Sequence, residues 1–222
     1  MTARSPLAQT CNTVVTASLS YLPRAYEPAV PWDSGIQLLS RQNHESLIAR
    51  DQNGRFVPQL AESWREEPDR LAHTFFLRRG ARFHNQTPLT AHDVKHTFDV
   101  VLGLDPGARS SLAEASRQLY WRIKEIAVPD DNTVIIRLHR PWPALYAVLA
   151  SQPIVSRSSD DSTARANVGS GPFQLRSLRP GEEAVFEAWP NHPQWQVPPQ
   201  RVLRIREMPD LAARVMALRN GD

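Results

Sequence analysis

The apolar positions of this chain fall into short runs, and most of these runs have the composition or the two-residue period of β-strands. Strands are predicted at residues 12–19, 61–65, 73–77, 123–128, 133–138, 173–177, 184–188 and 202–207. The second and third of these are expected to form a hairpin, and the fourth and fifth to pair through a turn at residues 129–132. Nineteen prolines interrupt the chain, so long helices are not expected.

A few segments have helical spacing instead. Helices are predicted at residues 36–48, 90–102, 111–120, 144–150 and 210–220. Thr90 and Asp93 have the spacing of a capping box, in which each side chain bonds the backbone of the other residue. Asp210 is expected to cap the last helix, and Gly221 supplies the left-handed residue that ends it.

The chain is predicted to fold into more than one packed unit. With 222 residues, of which 41% are hydrophobic and 22% charged, it can form one large or two small domains with a real core. Residues 156–167 are polar and have almost nothing to bury, as expected of a surface connection between lobes. We therefore place a boundary there.

Charge and cysteine content narrow the possible functions. The 26 basic and 23 acidic residues give a net charge of +3, and the arginines are interleaved with acids along the chain. This pattern argues against nucleic-acid binding by this chain alone. The single cysteine, Cys11, excludes an internal disulfide and any zinc site built on several thiolates. No apolar run has the length of a signal-peptide core or a membrane helix.

The motifs that carry enzymatic chemistry do not occur, so the sequence supports no enzyme and no cofactor. His92 and His96 have the i, i+4 spacing of a zinc site, but the helical wheel places them on the solvent side of their helix, and no metal site is predicted. Residues 169–171 (GSG) precede a strand rather than a helix, which argues against a phosphate-binding loop. The glycine pair instead predicts a tight turn where another backbone approaches closely.

Three aromatic residues are the candidate ligand-binding residues. Tyr21, Tyr26 and Trp32 lie in a proline-rich loop directly after the first predicted strand, where they could line a pocket. Packing in the core is the alternative for each of them.

Several stretches, in order and spacing, resemble solute-binding protein family 5, the extracytoplasmic solute-binding proteins of oligopeptide, dipeptide and nickel ABC transporters. The stretches are residues 57–64 (VPQLAESW), 73–84 (HTFFLRRGARFH), 87–94 (TPLTAHDV), 169–173 (GSGPF), 208–214 (MPDLAAR) and 217–222 (ALRNGD). The likeness covers residues 12–222. The chain departs from the family at residues 85–94, where NQTPLTAHDV replaces DGTPLTADDV.

The resemblance implies an α/β fold of the periplasmic-binding-protein type II class, with only the N-terminal portion present and one lobe incomplete. It further implies that residues 1–50 and 168–222 form half of the larger lobe, 51–157 a small inserted α/β domain and 158–167 a linker. An exposed sheet edge or apolar interface is then expected.

The function implied by the resemblance is transport without catalysis. Such a protein captures a short peptide or a small-molecule chelate outside the cytoplasm and delivers it to an ABC permease in the membrane. Two alternatives remain at this point: a ligand-sensing module of a cytoplasmic transcriptional regulator, and a truncated remnant that binds nothing.

Overall fold

The computed structural model describes residues 13–29, 33–104, 118–158, 167–190, 192 and 200–221, and shows two four-stranded sheets, a small hairpin and four helices. The strands are β1 (Thr13–Leu19), β2 (Ile48–Arg50), β3 (Phe56–Pro58), β4 (Ala61–Glu66), β5 (Ala72–Leu77), β6 (Ile123–Asp130), β7 (Thr133–Leu138), β8 (Phe173–Arg179), β9 (Glu183–Ala188) and β10 (Gln200–Glu207). The helices are α1 (Ser34–Asn43), α2 (Ala91–Val101), α3 (Leu145–Leu149) and α4 (Leu211–Asn220).

The first sheet has the order β1-β10-β9-β8. Strand β1 runs parallel to β10, and the other neighbours are antiparallel. Helix α1 packs against this sheet and buries Ile36 and Leu39. The core between them consists of Leu22, Tyr26, Ile36, Leu39, Leu175, Ala184, Phe186 and Ile205.

The second sheet is antiparallel throughout and has the order β4-β5-β7-β6. Helices α2 and α3 contribute Val94, Phe98, Leu145 and Leu149 to its core. The hairpin β2–β3 adds Ile48 to the same core. The two sheets therefore have separate hydrophobic cores.

The predicted strands and helix caps are confirmed where the structure describes them. The β4–β5 hairpin and the β6–β7 pair form as expected. The Thr90 amide donates to Asp93 Oδ2 at 2.9 Å in the capping box. Asp210 Oδ1 accepts from the Ala213 amide at 2.7 Å, and Gly221 ends α4 with φ of 80°. Most of the predicted helix 111–120 and of the linker 158–167 lies outside the described residues.

The prediction for residues 36–48 is wrong at its end, because α1 stops at Asn43. His44 takes an extended conformation with φ of −127°, and the Asn43 carbonyl accepts from the Gly171 amide at 2.9 Å. The chain then turns into β2, which the sequence did not predict. Contacts with distant segments, rather than local preference, therefore end this helix.

Helix α4 and the neighbouring edge strand β1 form an exposed apolar face. No described residue of α4 is buried, and Leu218 is 82% exposed. Val14 and Val15 of β1 are also exposed. A groove of about 240 Å³ runs between the two elements. The expected exposed edge is thus present.

Candidate functional site

The carboxyl ends of the parallel strands β1 and β10 lie side by side, which is where ligands bind in many open α/β sheets. The Met208 amide donates to the Leu19 carbonyl at 2.7 Å and joins the two strand ends. Glu207 Oε2 accepts from the Leu22 amide at 2.9 Å and from the Gly181 amide at 3.0 Å. The loop after β1 is therefore fixed to β10 and to the β8–β9 turn.

Tyr21 is the candidate residue that this edge presents to solvent. Its hydroxyl donates to Asp33 Oδ2 at 2.6 Å and lies 3.1 Å from Ser34 Oγ. Asp33 Oδ1 caps α1 by accepting from the amides of Gly35 and Ile36. Tyr21 is 39% exposed, and its hydroxyl is held by Asp33, so the side chain is fixed at the surface.

The other two candidates have different surroundings. Tyr26 is buried in the core of the first sheet beside Leu22 and Leu39, and burial raises the pKa of its phenol well above the usual value. Its ring thus packs beneath the loop rather than facing solvent. Trp32 lies outside the described residues.

A cavity among the described residues lies elsewhere. It measures about 490 Å³ between α1 and the β2–β3 hairpin, and its wall includes Arg41, Arg50 and Gln59. Tyr21 and Tyr26 do not line it.

The segment containing Gly169 and Gly171 is pressed against the carboxyl end of α1. A Cβ atom on Gly169 would lie 1.7 Å from the Asn43 carbonyl oxygen, and one on Gly171 would lie 2.7 Å from that of Gln42. The sequence prediction of close backbone approach is confirmed. Asn43 Oδ1 also accepts from the Leu175 amide at 2.8 Å, so α1 is fixed to β8 at the same point.

His84 links the second sheet to this segment. Its Nε2 donates to the Gly171 carbonyl at 2.9 Å, and its Nδ1 accepts from the Gly169 amide at 3.2 Å. The ring is therefore neutral with the proton on Nε2. Trp189 contacts it edge to face with ring centroids 4.9 Å apart. Burial lowers the pKa of His84 to about 4.

A buried ion pair lies next to this histidine. Arg78 donates from Nη1 to Glu45 Oε1 at 2.9 Å and from Nη2 to Oε2 at 2.6 Å. Arg78 Nη1 also donates to the Gln59 carbonyl at 2.8 Å. His192 Nε2 lies 3.6 Å from Glu45 Oε2 and donates to the Ser170 carbonyl at 3.0 Å. Glu45, Arg78 and His192 thus bridge the two sheets.

Sequence analysis did not identify this ion pair. Glu45 follows a helix and Arg78 follows a strand, and nothing in their spacing indicates that they meet. The only available signal was that Glu45 precedes one apolar run and Arg78 follows another. Solvent exposure explains a charged residue at such a position equally well.

Both histidines of the i, i+4 pair, His92 and His96, lie on α2. His92 is exposed, with Nε2 3.6 Å from Asp131 Oδ1. The prediction that His96 also faces solvent is wrong, since this side chain is half-buried. In the described part of the chain, no three His, Cys, Asp or Glu residues are grouped to hold a metal ion. None of the described helices is long and apolar enough to span a bilayer.

We expect the stability of the fold to fall on acidification because of His84. The unfolded chain takes up a proton near pH 6.5, whereas the folded chain does so only near pH 4. The neutral His84 ring contributes about 3 kcal/mol to the free energy of unfolding. This contribution is fully present above about pH 6.5 and is lost as the pH falls from there through 4. Urea unfolding between pH 7.5 and 4 measures it.

The matched variant for this measurement is His84→Gln, whose side-chain amide can still hydrogen-bond but does not titrate. We expect its free energy of unfolding to be lower than that of the wild type at pH 7.5 and to decrease less steeply towards pH 4. Parallel pH dependences for the two proteins would contradict the assignment.

The comparison with protein families identifies the class. Residues 55–222 match the bacterial extracellular solute-binding proteins, family 5 (middle region). The match covers more than half of the chain, which therefore belongs to this family. The resemblance noted in the sequence is confirmed.

Named relatives agree with this class. The probable D,D-dipeptide-binding periplasmic protein DdpA of Escherichia coli K12 is 27% identical over 216 residues, which are 90% of this chain and 40% of the relative. The heme-binding protein A of Haemophilus influenzae is 25% identical over 244 residues, covering 99% of this chain and 44% of the relative. The chain thus spans about two-fifths of the length of these relatives.

Solved structures confirm the fold class. The periplasmic binding protein AgaA of A. tumefaciens R10, solved with agropinic acid, has a TM-score of 0.81 and 29% identity, over 95% of this chain and 43% of that one. The oligopeptide-binding protein AppA of Bacillus subtilis, solved with a nonapeptide, has a TM-score of 0.82 at 20% identity, over 95% of this chain and 43% of that one, and shows the fold alone. The predicted α/β, type II periplasmic-binding-protein-like lobe is correct, and it is part of a larger fold in these proteins.

Proposed function

We propose that this chain forms part of the solute-binding component of a peptide-class ABC transporter. It captures a short peptide or a small-molecule chelate outside the cytoplasm for delivery to a membrane permease, and it performs no catalysis. The family match over residues 55–222 carries this proposal. The names of the relatives, which include peptide-binding and heme-binding proteins, support the range of ligands.

The carboxyl edge of β1 and β10 forms one wall of the proposed site. Tyr21 supplies its aromatic contact, and Tyr26 supports the loop from the core. Trp32, outside the described residues, is the third proposed ligand-binding residue. A single wall covers only part of a ligand, so the affinity of this chain alone is expected to be well below that of a two-lobed binding protein.

The proposed domain division follows the two cores except at its first boundary, where Leu47 and Ile48, just before residue 51, pack in the core of the second sheet. Residues 51–157 form the small inserted domain, supported by the separate core of the second sheet. Residues 1–50 and 168–222 belong to the larger lobe, supported by the pairing of β1 with β10 and the packing of α1 on β8. Residues 158–167 connect the two.

We expect a ligand to raise the thermal unfolding midpoint of the chain, since it binds the folded state only. The probes are a dipeptide pool, a tripeptide pool and a nickel–histidine chelate. The variant Tyr21→Ala should lose the upward shift because the aromatic contact is removed. Tyr21→Phe should retain part of it, because the ring stays while its hydrogen bond to Asp33 is lost.

Phe76→Ala is the matched control. Phe76 is 37% exposed, close to the value for Tyr21, but lies on β5 of the second sheet. This variant should keep the ligand-induced shift. A shift that Phe76→Ala and Tyr21→Ala lose equally would contradict the assignment of Tyr21, and no shift with any probe would contradict a working binding site in this chain by itself.

A further inference from the structure

Two arginines and two tryptophans alternate in one stack at the end of the second sheet. The Arg140 guanidinium carbon lies 4.5 Å from the centroid of the Trp121 ring. The Arg122 guanidinium carbon lies 4.8 Å from Trp121 and 5.6 Å from Trp142. We call the order Arg140–Trp121–Arg122–Trp142 the arginine–tryptophan ladder. Each contact is within the range of a cation–π interaction.

The backbone of the sheet brings these residues together. Ile123, at the start of β6, pairs with Leu138 at the end of β7. The His139 amide donates to the Arg122 carbonyl at 2.9 Å and extends the pairing by one step. Two segments distant in sequence thus place their arginines beside the same indole ring.

The inner end of the ladder is anchored in the core. Trp142 is buried and meets Tyr120 edge to face, with ring centroids 6.4 Å apart. Tyr120 in turn contacts Phe98, and its hydroxyl donates to Gln152 Oε1 at 2.6 Å. The outer end is accessible, because Trp121 is 44% exposed. The ladder is therefore pre-organised on one side and open on the other.

The arginines of the ladder differ from their neighbours in the partners of their charge. Neither Arg122 nor Arg140 forms an ion pair with any carboxylate of the residues that the structure describes. Arg137, on the same sheet, is paired with Glu125 at 2.9 Å. A guanidinium stacked on an indole still directs its N–H groups outward in the plane, where they can bind a carboxylate in bidentate fashion.

We propose that the arginine–tryptophan ladder is a docking surface for an acidic segment of a partner protein. Exposed tryptophan and arginine are the residues that contribute most to protein interfaces, and stacking reduces the entropy lost when they bind. Anionic membranes are recognised by clusters of about 4–8 basic residues. The ladder has two arginines, fewer than such a cluster, and the acidic residue Glu125 lies on the same sheet. A membrane surface is therefore the less favoured partner. This surface is distinct from the Tyr21 edge and does not depend on the solute.

The test uses a fluorescently labelled hexaglutamate peptide and the 222-residue chain. We expect binding that weakens as the salt concentration rises. The variant Arg122→Gln/Arg140→Gln should bind about tenfold more weakly or worse. Trp121→Ala should also weaken binding, since it removes the ring that orients both guanidinium groups.

The control is Arg65→Gln/Arg70→Gln, which removes the same charge from two arginines that are paired with Glu67 and Glu66. It should bind the peptide as the wild type does. Equal losses of peptide affinity in the two double variants would mean that net charge alone explains binding, and would overturn the proposal. Binding to phosphatidylglycerol vesicles without binding to hexaglutamate would also overturn it, in favour of a lipid surface. Circular dichroism confirms that each variant is folded.

Discussion

Replacing Gly169 with alanine is expected to abolish cooperative folding of the chain. The new Cβ atom would lie 1.7 Å from the carbonyl oxygen and 2.6 Å from the carbonyl carbon of Asn43, and both are backbone atoms at the end of α1. The Gly169 segment cannot move away without breaking its bonds to His84, which accepts from the Gly169 amide and donates its own amide to the Gly169 carbonyl at 2.8 Å. We expect a loss of more than about 4 kcal/mol.

Urea unfolding followed by circular dichroism measures this effect, with Gly80→Ala as the control. Gly80 has φ of 75°, and a Cβ atom added there would have no neighbouring atom within 4 Å, so only backbone strain opposes the change. That strain costs about 1 kcal/mol. A Gly169→Ala protein as stable as Gly80→Ala would show that the two segments do not meet as described.

The close approach at Gly169 was predictable from the sequence only in part. Two glycines around a serine before a strand indicate that another backbone comes near. They do not indicate which one, because the partner, Asn43 at the end of α1, is distant in sequence. For the same reason the end of α1 was misplaced: the Asn43 carbonyl accepts from the Gly171 amide, and the local sequence does not indicate this contact.

Elements with local signals were predicted well. The capping box of Thr90 and Asp93 and the cap at Asp210 depend on residues three positions apart, and the β4–β5 and β6–β7 pairs connect neighbouring strands. The three-residue strands β2 and β3 were missed, because a strand of this length has too few positions to show a period.

The candidate site shows the same limit. Tyr21 and Tyr26 are residues of one type in one loop, and the sequence could not indicate which of them faces solvent and which lies in the core. The structure places Tyr21 at the surface, bonded to Asp33, and Tyr26 in the core beside Leu39. The difference arises from the packing of α1 on the first sheet, which brings distant parts of the chain together.

We expect the second large effect from breaking the buried pair of Glu45 and Arg78. Burial alone would raise the pKa of Glu45, but the neighbouring His192 and the two hydrogen bonds from Arg78 outweigh burial and hold the pKa below its ordinary value. The carboxylate is therefore charged at neutral pH. Glu45→Gln removes the negative charge that pairs with the buried guanidinium of Arg78. Arg78→Met removes the positive charge that pairs with the buried carboxylate of Glu45. Each variant should lose about 3 to 5 kcal/mol of unfolding free energy.

A double-mutant cycle separates the pair from its members. Glu45→Gln/Arg78→Met combines the two single changes and removes both charges, and it should cost less than the sum of the single changes, since no charged group of the pair is left without its partner. The exposed pair Glu125–Arg137 is the matched control, with Arg137 Nη1 and Glu125 Oε2 2.9 Å apart. Glu125→Gln should cost less than about 1 kcal/mol.

The pair bridges the two sheets, so the cycle also reports on how they are coupled. If Glu45 and Arg78 hold the sheets together, Glu45→Gln should separate one unfolding transition into two, with the antiparallel sheet and its own core melting last. The alternative result is that Glu45→Gln unfolds in a single transition with a lower midpoint. That result would mean that the contacts of His84 with Gly169 and Gly171 are sufficient to keep the sheets coupled. An unfolding free energy for Glu45→Gln no lower than that for Glu125→Gln would contradict the buried ion pair itself.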